Sequence, residues 1–127
     1  WVNDTDLYIM GASDAKKNFE LLKEQKEGAL CFFGHTHIST AYIETNGAVE
    51  ITAEDALQIQ KGGKYLVNPG GLGQPRDRDP RAPFLVYDSK KSEIAFHRVE
   101  YDILKTAEKI ISAGLPLRLA ERLKLGW

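Results

Sequence analysis

Sulfur is nearly absent from this sequence, which holds one cysteine and one methionine. A single thiol excludes an internal disulfide. Cys31 lies inside the apolar run Ala29-Leu30-Cys31-Phe32-Phe33, where a free thiol acts as a small hydrophobe and fits a reducing, cytoplasmic setting. No apolar run approaches the roughly 20 residues of a membrane span, and no signal-peptide pattern is present, so no membrane role is expected. An excess of charge is lacking too. Seventeen basic residues stand against 18 acidic ones, for a net charge of -1. That excludes a nucleic-acid or membrane-surface role driven by bulk electrostatics and leaves nucleic acid only as a substrate. An initial methionine is also missing: Trp1 opens the chain, and the native start is expected upstream.

What is present suits a globular protein. The 127 residues are 43% hydrophobic and 28% charged, the size and composition of one domain. Ser13 or Asp14 can cap a helix running to about Lys26, with Ala15, Phe19 and Leu22 in one apolar stripe and Gly28 as its stop. Leu30 to Phe33 reads as a short buried strand. Ile38–Glu44 and Ala48–Thr52 read as strands joined through Asn46-Gly47, both residues tolerating positive φ. Residues 53–63 are ambiguous, with Leu57 and Ile59 suited to a short edge strand. Tyr65-Leu66-Val67 is a strand leading into Asn68. Residues 68–83 hold three glycines and four prolines and predict a long loop, a length that is usually functional or disordered. Phe84–Tyr87 and Ile94–Val99 form a hairpin around residues 88–92. Asp102 caps a helix that Gly114 stops, and Pro116 opens a last helix with Leu117, Ala120 and Leu123 inward. The order predicts an α+β fold of five or six strands in a largely antiparallel or mixed sheet, helices on one face. A partner layer is expected over the exposed sheet.

The chemistry concentrates in Gly34-His35-Thr36-His37. Side chains two apart on extended backbone share a side, so His35 and His37 can reach one cavity. Neutral imidazole is a good ligand for zinc, iron, manganese or nickel. Gly34 would let the chain turn sharply beside the metals, while Thr36 points away and can tie the turn through its hydroxyl. Nothing else in the chain supplies a credible set of carboxylate and histidine ligands to finish such a site.

The stretch Cys31-Phe32-Phe33-Gly34-His35-Thr36-His37 resembles the last metal-binding block of the calcineurin-like metallophosphoesterases. Val67-Asn68-Pro69-Gly70-Gly71-Leu72-Gly73-Gln74-Pro75-Arg76-Asp77-Arg78-Asp79-Pro80-Arg81-Ala82 is similar to a signature of one bacterial and archaeal branch, and the resemblance spans residues 13 to 125. It implies a four-layer α/β/β/α sandwich and a binuclear phosphatase or phosphodiesterase. Two divalent ions (manganese, iron, zinc or nickel) would hold the phosphoester, and a metal-bound hydroxide would attack phosphorus. By the match His35 serves one ion and His37 the other. The other ligand blocks of the family, an Asp-X-His, a Gly-Asp-X-X-Asp, a Gly-Asn-His and a lone His, are not found. Residues 1–127 would then be the C-terminal portion of a single metallophosphoesterase domain, inactive alone, with its N-terminal half or an oligomer partner covering the sheet. A non-catalytic scaffold or oligomerisation remnant and a simple metal-binding protein are the alternatives.

Arg76, Arg78 and Arg81 could grip a phosphate, against a solvated loop whose arginines pair with Asp77 and Asp79. That second reading is favoured for Arg78 and Arg81, while Arg76 falls within the Gln-Pro-Arg pattern of the family. Asn68 and Gly70 are expected to shape the loop near the metals. Gly71 stands where relatives often carry serine, and Arg78 where they often carry glycine. His97 reads as a structural or surface residue. Tyr8, Trp1 and Trp127 read as core or interface aromatics, and Lys23–Glu27 as a solvated helix face.

Overall fold

The computed structural model describes residues 4, 6–24 and 29–127. The elements are α1 (Ala12–Leu21), a 3-10 turn (Leu22–Glu24), β1 (Ala29–Phe32), β2 (Thr40–Thr45), β3 (Ala48–Thr52), β4 (Ala56–Gln58), β5 (Lys64–Asn68), β6 (Ala82–Asp88), β7 (Glu93–Val99), α2 (Ile103–Ser112) and α3 (Leu117–Leu125). The fold is mixed α+β, but its seven strands form two sheets where the strand pattern alone predicts one of five or six. The first has the order β1-β5-β2-β3 and the second the order β4-β7-β6. In the first, β1 runs parallel to β5 while β2 runs antiparallel to both β5 and β3. The second is antiparallel throughout. Hydrophobic alternation cannot distinguish one sheet from two, because each strand buries one face in either arrangement.

The period-2 alternation divides the core. Tyr65 and Val67 of β5, with Ala41 of β2, face the second sheet and meet Ile94. Leu66 and Tyr42, on the other face, pack beneath Ile9, Ala15, Phe19 and Leu22. The larger sheet is thus covered by α1 on one side and by the smaller sheet on the other. The expected α1 stripe of Ala15, Phe19 and Leu22 is buried.

Local chemistry accounts for most boundaries. Asn46 and Gly47 have φ of 52° and 83°, as the two-residue β2–β3 hairpin requires. Asp102 accepts from the Lys105 amide at 2.9 Å and caps α2. The α1 cap differs from expectation: Gly11 holds that position with no side-chain bond, and Asp14, already inside the helix, accepts from the Met10 amide at 3.1 Å. The helix yields to a 3-10 turn at Leu22; Lys26, Gly28 and Trp1 lie outside the described residues, as does much of the 23–27 charge run. β1 is an edge strand, so the buried strand expected there is only partly covered and Phe32 remains 46% exposed. Ala120 and Leu123 turn inward as expected, but Leu117 is exposed, being in the first turn of α3, beside the groove between the two helices.

Phe19→Ala and Leu66→Ala remove fully buried side chains. Each is expected to cost about 2–5 kcal/mol in urea unfolding. Leu72→Ala, at an exposed position, should change stability by less than about 0.5 kcal/mol.

Candidate metal centre

Parallel strands end at the same edge of a sheet, and α/β ligand sites gather beyond those carboxyl ends. Here Phe32 lies opposite Val67, and the Phe33 amide donates to the Val67 carbonyl at 2.9 Å. Segment 34–39 and loop 69–81 therefore emerge side by side. The first carries His35 and His37, and the second carries the glycine- and arginine-rich stretch.

The histidines are not on extended backbone as their spacing suggested. His35 has φ of 74° and His37 of 62°. Both occupy the left-handed region, where histidine is enriched among the few non-glycine residues found there. Gly34 has no positive φ, and a Cβ there would meet nothing within 4 Å. The sharp turning is carried by the imidazole-bearing residues themselves, at a strain of order 1–3 kcal/mol each. Surrounding contacts hold that turn. Thr36 is buried and accepts from Asn68 Nδ2 at 2.7 Å, so its hydroxyl ties the turn as expected. The ring of His35 stacks on Tyr8 with centroids 4.1 Å apart.

His37 Nδ1 lies 2.7 Å from the Gln74 carbonyl oxygen. A carbonyl only accepts, so Nδ1 carries the proton and the Nε2 lone pair remains open. Ligating histidines use this arrangement, one ring nitrogen fixed on a carbonyl and the other facing the metal. His37 therefore presents a nitrogen donor of the kind a divalent ion takes. The histidine pair is a partial set: among the described residues no three histidine, cysteine, aspartate or glutamate side chains gather as an ion would need.

Loop 69–81 is built around the same point. Asn68 is fully buried, and its Oδ1 accepts from the Gly70 amide at 2.9 Å, so both ends of its amide brace the loop. Gly70 has φ of 104°, and a Cβ there would fall 2.6 Å from Ser39 Oγ and 2.8 Å from Pro83 Cγ. At Gly71 a Cβ would fall 2.6 Å from His37 Cβ and 3.0 Å from the Gln74 carbonyl. A side chain at 71 would therefore displace the His37 side chain in this loop.

The arginines separate. Arg81 forks onto Asp79, with Nη2 2.6 Å from Oδ2 and Nε 3.0 Å from Oδ1. That hydrogen bonding holds the Asp79 carboxyl down to about 2. Arg78 has φ of 65°, which explains why glycine suits that position, and its amide donates to Gly126 O at 2.8 Å. Arg76 is exposed and, among the described residues, free of hydrogen bonds and ion pairs. His97 is exposed and stacks on Phe84, on the far side of the second sheet. Trp127 is 58% exposed beside an apolar groove of about 900 Å³ between α2 and α3, which reaches loop 69–81 through Gln74. Cys31 has its thiol pushed up by burial and takes no part. The sequence reading missed Arg98, a β7 residue whose Nη2 lies 2.5 Å from Asp77 Oδ2 and 3.1 Å from Ser39 Oγ. A lone arginine in an alternating strand carries no local signal of such a role.

The α/β/β arrangement sets a histidine-bearing loop at the carboxyl ends of a parallel strand pair. The chain matches the crystal structure of a metallophosphoesterase from Sphaerobacter thermophilus with a TM-score of 0.81 and 38% identity, covering 94% of this chain and 49% of that one. Over the part it spans, the chain has the metallophosphoesterase fold, and the resemblance read from the sequence is borne out. It is also 41% identical over 99 residues to an uncharacterized protein of Methanocaldococcus jannaschii, covering 78% of this chain and 40% of that protein. The chain therefore spans half or less of the length of each of these relatives. No family model matches it.

Gly71→Ala is expected to push the His37 ring off the Gln74 carbonyl, abolishing the fixed Nδ1–H tautomer in long-range ¹⁵N spectra, whereas Gly34→Ala should leave the tautomer unchanged. Asp79 has a lowered folded-state pKa, so its contribution to stability is complete above the ordinary carboxylate range and is lost as pH falls through about 2. Arg81→Ala should raise the Asp79 midpoint toward about 3.9 in a carboxyl-carbon NMR titration.

Proposed function

We propose that His35 and His37 are ligands in the binuclear metal centre of a phosphoester hydrolase, the remaining ligands coming from polypeptide outside residues 1–127. The observation that carries this reading is the His37 ring, anchored through Nδ1 on the Gln74 carbonyl with Nε2 left as a lone-pair donor. When bound, two divalent ions would polarise the phosphoester and lower the pKa of a water nucleophile. The roles of this chain are orientation and charge. His37 is held by loop 69–81, His35 by its Tyr8 stack, and Arg76, exposed in the same loop, would meet phosphate oxygens. Asn68 and Gly70 shape that loop through their mutual hydrogen bond and stand back from substrate. Iron, zinc and nickel suit imidazole donors, and manganese would draw more on carboxylate ligands from outside residues 1–127.

Open edges support the view that more polypeptide completes the sandwich. β1 and β6 are edge strands of their respective sheets, and Phe32 of one lies 6.3 Å from Tyr87 of the other, so both sheets stop on the same side with large apolar groups exposed. Phe84, Val86 and Val99 are likewise exposed on the outer face of the second sheet. Exposed edges and apolar faces of this kind call for cover, which further strands and helices of the same domain would provide. No described helix is long and apolar enough to cross a membrane, and cytoplasmic hydrolysis is the setting proposed.

The purified 127-residue chain with manganese should not turn over bis-p-nitrophenyl phosphate. A longer protein containing it should do so, and His37→Ala should reduce its kcat/KM by more than about a hundredfold, beyond the 10–100-fold typical of residues that merely support a ligand. Turnover by the isolated chain that disappears in His35→Ala would contradict the division of the site.

A further inference from the structure

We propose that Arg98 is the positioning residue for His37: from the second sheet it clamps Ser39 to Asp77 and thereby fixes the carbonyl that aims the imidazole. This rests on the reading of His37 as a metal ligand.

The His37–Gln74 hydrogen bond joins two loops, and neither belongs to a sheet ladder at that point. Such a bond orients a ring only when both loops are held. The near arm of loop 69–81 is held where it leaves β5, by Asn68 on Thr36 at 2.7 Å and by Ser39 Oγ donating to the Pro69 carbonyl at 2.7 Å. Gln74 lies beyond those ties. The far arm is held by Arg98. Its Nη2 donates to Asp77 Oδ2 at 2.5 Å, three residues past Gln74, and to Ser39 Oγ at 3.1 Å, two residues past His37. Nε lies 3.7 Å from Asp79 Oδ2, extending the grip along the loop. Ser39 spends its own proton on Pro69, so it meets Arg98 as an acceptor. One guanidinium therefore touches both sides of the hydrogen bond that sets the ring.

The pair is poorly suited to stability alone. The Arg98 and Asp77 side chains are only 21% and 12% exposed, and Arg98 Nη1 is buried without a partner. An ion pair withdrawn from water returns little net stability, and apolar replacements often do as well. An N–H left unmet weakens that return further. What one guanidinium nitrogen bonded to both loops provides, and an apolar residue cannot, is a fixed distance between them.

The test uses Arg98→Met, Arg98→Lys and Asp77→Asn. The His37 tautomer is read by long-range ¹⁵N spectra of the metal-free full 127-residue chain, and manganese affinity by spin resonance titration of the longer protein. Arg98→Met should mix the His37 tautomers and weaken manganese by about tenfold, the lower end of the 10–100-fold range for direct partners of a ligand, since Arg98 acts through Gln74. Arg98→Lys should restore part of both. If Arg98→Met does not fold, Asp77→Asn, which nearly preserves shape, carries the same expectation. A folded Arg98→Met that keeps the Nδ1–H tautomer and native affinity overturns the proposal. A wild-type longer protein without manganese affinity would remove the ligand reading of His37, and the tautomer measurement would then decide the clamp by itself.

Discussion

The parallel pairing of β1 with β5, Phe32 opposite Val67, brings the ends of two strands distant in sequence to one edge. The segment bearing His35 and His37 and the loop bearing Gln74 leave that edge together. A shift of one residue in this register would turn every β5 side chain to the opposite face, sending Leu66 out of the α1 core and Val67 out of the inter-sheet core. Burial on both faces therefore locks the register, and the locked register sets the loops. The site inherits its geometry from hydrophobic packing that contains none of its own residues.

Within that frame polar chemistry does the fine placement. Asn68 ends β5 and uses both halves of its amide, one on Thr36 and one on Gly70. Left-handed backbone at His35 and His37 is unfavourable by itself and is maintained by these bonds and by the close approach of Gly71. The histidine loop is thus over-determined by its neighbours, as strained segments at functional sites are. Arg98 adds a constraint from the second sheet, so the two sheets and both loops meet around one imidazole.

Much of the fold was legible in the chain. Asn46-Gly47, the Asp102 cap, and the 15, 19, 22 stripe are local signals, and local energetics decide them. The histidine pair and the long loop were legible as residue types in a pattern. What the chain could not announce is non-local. Two sheets and one look alike in alternation. Phe32 is exposed because β1 lies at an edge, which no property of residues 29–32 determines. Gly34 looked like the source of the turn, yet the positive φ falls on the histidines, because tertiary bonds to Thr36 and His37 outweigh backbone propensity. Arg98 lies 59 residues from Ser39, and only the folded chain brings them together.

The central claim is that two imidazoles of this chain coordinate metal in a site finished by polypeptide outside it. Its most direct test is pulsed electron spin resonance on the manganese-loaded longer protein, with ¹⁵N-histidine labelling. The account predicts imidazole nitrogen couplings to manganese that diminish in His35→Ala and again in His37→Ala. Couplings that remain at full strength when both histidines are replaced would contradict it.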